Sequence, residues 1–124
     1  MTFATALNCM DGRTQVPVIE YLKRKFGVDF VDMITEPGIN RLLSENRDDH
    51  GVAAVRKKAE ISHLCHGSLL AALVGHHDCA GNPADAKVQR VQTLTALETV
   101  RGWNLGMRVV GLWVDENGEV CEIE

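Results

Sequence analysis

No hydrophobic run in this chain of 124 residues approaches the roughly 18 that a membrane-spanning helix needs, so no transmembrane segment is predicted. The N-terminus lacks a basic region followed by a long apolar stretch, which argues against a secretory signal and for a cytoplasmic protein. Positive charge is not in surplus either. Thirteen Lys and Arg face 17 Asp and Glu, a net charge of −4, which leaves no footprint for nucleic acid or an anionic membrane. Internal repeats, low-complexity segments and interdomain linkers are also missing. What remains has the size of one domain, residues 1–124, with one modest core.

Cysteine is sparse: Cys9, Cys65, Cys79 and Cys121. An even count suggests disulfides in a short, secreted, loop-rich chain, and this chain is none of these. In a reducing compartment, thiols near His and Asp are metal ligands or plain buried residues. Cys65 and Cys121 read as quiet packing residues. Cys79 differs, because His76 precedes it by three residues and both follow the apolar run Leu69–Val74. At the end of a buried strand, such a pair can aim at one metal. Two ligands do not complete a site, and Cys9-Met10-Asp11-Gly12-Arg13 is the best source of a third.

Two thiolates and an imidazole form a soft donor set that suits Zn²⁺ better than magnesium or calcium. A fourth position is left for water or for Asp11. An open position lets zinc activate a water near neutral pH, whereas Asp11 as a ligand would close it. Arg13 can hold Asp11 off the metal through a bidentate pair. His77 competes with His76 for the ligand role and otherwise lies beside the site or at the surface. Asp78 reads as a loop-capping or surface carboxylate, and His63 and His66 as structural residues at helical spacing.

The elements follow in order. Phe3–Leu7 reads as a first strand and Cys9–Arg13 as a loop. Pro17 opens a helix at its first turn, with Val18, Ile19, Leu22 and Phe26 as its apolar stripe, and Gly27 ends it. Val28–Ile34 is a second strand, Thr35–Gly38 a loop, and Ile39, Leu42 and Leu43 mark one or two helical turns. Gly51–Gly67 reads as a helix that turns Val52, Val55, Ala59, Ile61, Ser62, Cys65 and His66 inward. Ser68–Val74 is the third strand. Ala84–Val100 is a helix with Val88, Val91, Leu94, Thr95 and Leu97 on one face. Met107–Val114 is a strand, Asp115–Gly118 a hairpin turn and Glu119–Ile123 an antiparallel edge strand. This pattern predicts an α/β three-layer sandwich around a mainly parallel sheet, with sites at the carboxyl ends of its strands. The two cysteine motifs meet if the first and third strands are neighbours.

Together, Cys9-Met10-Asp11-Gly12-Arg13 and His76-His77-Asp78-Cys79, flanked by Gly75 and Gly81, resemble the paired motifs of the beta-class carbonic anhydrases. Val109–Asp115 through Gly118 resembles that family's later strand and turn, so the similarity runs from about residue 3 to 123. The resemblance implies that Cys9, His76 and Cys79 bind zinc and that Asp11 and Arg13 form the gating dyad of a carbonate dehydratase. His77 is then a proton shuttle if its ring reaches the pocket through water. The implied substrate is CO₂ or bicarbonate and the implied partner a second copy of the chain, paired so that the interface borders the active sites. A zinc hydrolase for COS or CS₂ and a non-catalytic zinc protein of the same fold are the alternatives. The chain departs from the family in beginning almost at its first strand, without the helical arm that embraces a partner subunit. It also carries Met33–Gly38 where the family has an Arg-Asn-Ala-Gly-Asn-like segment, which puts the Glu36 carboxylate near the pocket and within reach of Arg13.

Overall fold

In the computed structural model, which describes residues 1–47 and 49–124, nine elements follow one another along the chain. They are β1 (Phe3–Asn8), α1 (Gly12–Phe26), β2 (Phe30–Thr35), α2 (Ile39–Glu45), α3 (His50–His66), β3 (Leu70–His76), α4 (Ala86–Gly102), β4 (Arg108–Val114) and β5 (Val120–Glu122). The sheet runs β2-β1-β3-β4-β5, parallel throughout except for the antiparallel β4–β5 pair at one edge. Helix α1 covers one face, where Val18 and Leu22 pack with Ala4, Ala6, Ala72, Val74, Val110 and Leu112. The other three helices cover the opposite face around Leu7, Leu43, Val55, Leu73 and Leu97. This is the expected sandwich.

The pattern of burial follows from position in the sheet. Every residue of β3 is buried, as a central parallel strand covered on both faces requires. Edge strand β2 has one fully buried residue, Ile34. The pairing of β1 with β3, which sequence could not establish, places Leu7 beside Leu73 and brings the two cysteine motifs to neighbouring strand ends.

Several boundaries and faces differ from expectation. Helix α1 starts at Gly12, because the Asp11 carboxylate accepts the Arg13 backbone N–H and caps it. Gly12 and Arg13 are therefore helical, and Pro17 lies inside the helix rather than opening it. Strand β2 starts at Phe30 instead of Val28, since the Asp29 and Phe30 N–H groups both go to the Thr2 carbonyl. Strand β3 extends two residues further, through Gly75 and His76, so the imidazole stands on the strand itself. Helix α4 starts at Ala86 with Asp85 as its cap.

The buried face of α4 carries Gln89, Thr93, Ala96, Leu97 and Val100, while Val88 and Val91 are 48% and 63% exposed. Polar partners decide this rotation: Asn40 of α2 donates hydrogen bonds to Gln89 and Thr93. In α3, Ser62 is buried as expected, held by Thr5 and Asp32, but Ile61, Cys65 and His66 face outward. Cys65 and Cys121 are thus exposed thiols and not packing residues. No helix among the described residues is long and apolar enough to cross a membrane.

Replacing Leu73 by Ala should cost about 2–5 kcal/mol in a denaturant titration, through lost burial and the cavity left behind. Val91→Ala should change stability by less than about 0.5 kcal/mol, because that side chain faces water. A large loss at Val91 would contradict the observed rotation of α4.

Candidate metal centre

Cys9, His76 and Cys79 converge at the carboxyl ends of β1 and β3, each nearly inaccessible to solvent. Their ligand atoms lie within 4.8 Å of one another, and the two sulfurs are 3.8 Å apart. Local backbone chemistry aims each one. The Asn8 side chain accepts the Cys9 N–H at 2.9 Å, turning the chain as it leaves β1. After His76, Asp78 takes a left-handed conformation at φ 55°, and the Asn82 N–H bonds to the Cys79 carbonyl to close the loop.

The imidazole is pre-set as a ligand. His76 Nδ1 lies 2.8 Å from the His77 carbonyl, which can only accept, so the ring proton sits on Nδ1. Nε2 is left as a lone-pair donor, buried and with no hydrogen-bond partner among the described residues. A buried acceptor without a donor is costly, and a metal ion would satisfy it.

The thiols show the same need for a cation. Burial pushes the Cys9 thiol up, but the His76 ring, the backbone N–H groups of Gly38 and Asp11, and the Cys79 thiol outweigh it and bring its pKa down to about 7. Burial and the neighbouring Cys9 push the Cys79 thiol up, only partly offset by the Asn82 and Gly81 backbone. Burial pulls His76 down, yet its contact with Cys9 and its bond to the His77 carbonyl leave it raised. One thiolate is accommodated readily, and two in contact need positive charge between them. The donor set therefore fits a soft divalent ion.

Asp11 is not part of the ligand group. Its carboxylate is gripped by Arg13, with Nη2 donating to Oδ2 at 2.7 Å and Nε to Oδ1 at 3.1 Å. Those hydrogen bonds hold its pKa down to about 2. Arg13 also donates to the Asp78 carbonyl at 3.0 Å and pairs with the Asp78 carboxylate at 3.4 Å, so Asp78 is more than a surface charge. These two aspartates are the guanidinium's acidic partners, and half-buried Glu36 is not among them. His77 is exposed and lines a cavity of about 60 Å³ with Arg13, Thr14, His76 and Glu116. Two larger cavities, of about 530 and 420 Å³, contain none of the three ligand residues.

Sequence reasoning missed Asn40, Asn82 and Gln89, which lie beneath the site. Gln89 donates to the His76 carbonyl at 2.9 Å. The available signal was the spacing of Gln89, Thr93, Ala96, Leu97 and Val100, which marks one helical face once polar residues are admitted to it.

A mainly parallel α/β sandwich with Cys, His and Cys at adjacent strand ends places the chain in the carbonic anhydrase-like class. The model of the family described as "Putative carbonic anhydrase" matches residues 1–124, and the chain belongs to that family. Among solved structures, beta-carbonic anhydrase isoform I of the protozoan Trichomonas vaginalis aligns with a TM-score of 0.59 at 18% identity, over 96% of this chain and 81% of that one. Carbonic anhydrase from Glaciozyma antarctica aligns with a TM-score of 0.64 at 12% identity, over 97% and 81% respectively. At such identities the likeness is one of fold. A comparison with curated protein sequences found no match.

Titration with Co²⁺ should develop thiolate-to-metal absorption, and Cys9→Ser or Cys79→Ser should abolish most of it. His76→Ala should lose more affinity than His77→Ala, and the reverse order would move the ligand role to His77. Affinity should rise with pH through the neutral range, because the Cys79 proton, held more tightly than in an ordinary thiol, must leave on binding.

Proposed function

We propose that this protein is a zinc-dependent lyase that hydrates CO₂ reversibly to bicarbonate. The observation that carries the reading is the Asp11–Arg13 pair, which holds a carboxylate beside a three-ligand centre without making it the fourth ligand. Family membership and the buried Cys9–His76–Cys79 group support the same conclusion. Cys9, His76 and Cys79 would hold the ion. Zinc bound there supplies the Lewis acidity that makes water a nucleophile near neutral pH.

The remaining roles belong to the protein. Asp11, ionised at any ordinary pH, accepts a hydrogen bond from the attacking water and orients it. Arg13 fixes Asp11 in place and, through Asp78, ties it to the ligand loop. Water adds to CO₂, bicarbonate leaves, and one proton must reach solvent. His77, exposed at the cavity next to His76, would relay it through water.

Self-association belongs to the same proposal. Strand β2 is an uncovered sheet edge that bears exposed Phe30, and Leu69 stands exposed at the mouth of an apolar cavity lined by Phe3 and Phe26. A second copy would cover such surface at the amino ends of the strands, and laid along the whole of β2 it would also reach the sites at Thr35, which pairs with Asn8 next to Cys9. A mass that stays monomeric at every concentration would reject the dimer.

The deciding assay measures CO₂, COS and CS₂ turnover on protein carrying about one zinc per chain. Turnover of COS or CS₂ alone would identify a hydrolase. No turnover, with zinc held by four protein ligands, would identify a non-catalytic zinc protein. Arg13→Ala should retain zinc and lose about 10–100-fold in CO₂ hydration. Asp11 would stay ionised near neutral pH without Arg13, so that loss would come from position and not from protonation. Full activity in Arg13→Ala would refute the role given to the pair.

A further inference from the structure

Cys9 and the His76–Cys79 pair come from two segments with no short covalent link, and a third segment, the turn before α2, presses on both. The Glu36 N–H of that turn donates to the Asn8 carbonyl, next to Cys9, at 3.2 Å. Gly38 and Gly81 abut so closely that a Cβ on Gly38 would lie 2.6 Å from the Gly81 oxygen. A Cβ on Gly81 would lie 2.6 Å from the Pro37 carbonyl carbon. The two thiol-bearing regions therefore cannot shift independently.

Beneath this contact lie Asn40, Asn82, Gln89 and Thr93, none more than 2% exposed. Asn40 Nδ2 donates to Gln89 Oε1 at 3.1 Å and to Thr93 Oγ1 at 3.2 Å. Asn40 Oδ1 accepts from Asn82 Nδ2 at 3.1 Å, and the same nitrogen donates to Gln92 Oε1 at 2.7 Å. Gln89 Nε2 donates to the carbonyls of His76 at 2.9 Å, Ala84 at 3.2 Å and Asn82 at 3.4 Å. Each amide's orientation is set by the next, so none can flip without breaking the chain of bonds. The cluster also packs against the backbone just before His76, where a Cβ on Gly75 would lie 2.9 Å from Asn40 Nδ2.

We propose that this amide cluster, with Gln89 at its hub, is the positioning frame of the metal centre. Gln89 holds the peptide plane between His76 and His77 through the His76 carbonyl. That plane in turn sets the His77 carbonyl that receives the Nδ1 proton and leaves Nε2 free for metal. Asn40 and Asn82 connect the turn beside Cys9 to the loop bearing Cys79. The inference rests on the reading of Cys9, His76 and Cys79 as metal ligands, and Gln89 acts through His76 without touching the ion.

The test compares Gln89→Met, similar in length but without hydrogen bonds, with Thr99→Val. Thr99 ties the same two helices together away from the site, its hydroxyl donating to the Leu43 carbonyl at 2.8 Å. Gln89→Met should lower Co²⁺ affinity about 10–100-fold and change the d–d absorption of bound cobalt. In the metal-free protein, ¹⁵N spectra of the His76 ring should show the Nδ1–H tautomer in the wild type and a mixture in Gln89→Met. Thr99→Val should leave all three readouts unchanged. If Gln89→Met does not fold, Thr93→Val replaces it, removing one acceptor of Asn40, with a smaller change in the same direction expected. Unchanged affinity, spectrum and tautomer in the cluster variant, or equal losses in Thr99→Val, would overturn the proposal. Should the wild type take up no Co²⁺, the metal reading fails, and the tautomer comparison still decides whether Gln89 positions His76.

Discussion

The parallel pairing of β1 with β3 is the interaction on which the centre depends. It lays the end of one strand, where Cys9 leaves, beside the end of another, where His76 stands and Cys79 follows. Both strands are buried in the middle of the sheet, so a slip in register would turn apolar side chains into the wrong layer and move the ligands apart together. The layers that stabilise the fold thereby hold the donor atoms within reach of one ion.

Charge organises what surrounds them. The centre gathers two thiols and an imidazole in a buried place, and it leaves one nitrogen lone pair without a partner among the described residues. Arg13, at the mouth, is shared by the Asp11 and Asp78 carboxylates and by the Asp78 carbonyl. Asp11 caps α1 as well, so the start of that helix and the neighbourhood of the ligands are one construction. An altered helix start would move the carboxylate too.

Much of this was legible in the sequence. Cys, His and Cys are uncommon residue types whose spacing has few meanings, and the strands bearing them are plain apolar runs. The alternation of strands and helices defined the sandwich. What escaped were features decided by partners distant in sequence. Val88 and Val91 drew the expected face of α4 towards themselves, whereas Asn40, some fifty residues earlier, turned Gln89 and Thr93 inward. Pro17 suggested a helix start that Asp11 had already supplied. Glu36 looked competent to attract Arg13, and two nearer carboxylates occupy that guanidinium.

The separation of Cys9 from Cys79, 70 positions in sequence and 3.8 Å in space, also has a consequence for biosynthesis. A nascent chain emerges from its N-terminus, and β1 is exposed long before β3 exists to receive it. During that interval Cys9 has neither His76 nor Cys79 beside it, so the three-donor group cannot form. Closing so long a segment carries an entropic cost that one metal–sulfur bond must not be asked to meet alone. The sheet must therefore assemble before the three donor atoms can meet, which makes their convergence a late event in the folding of each molecule.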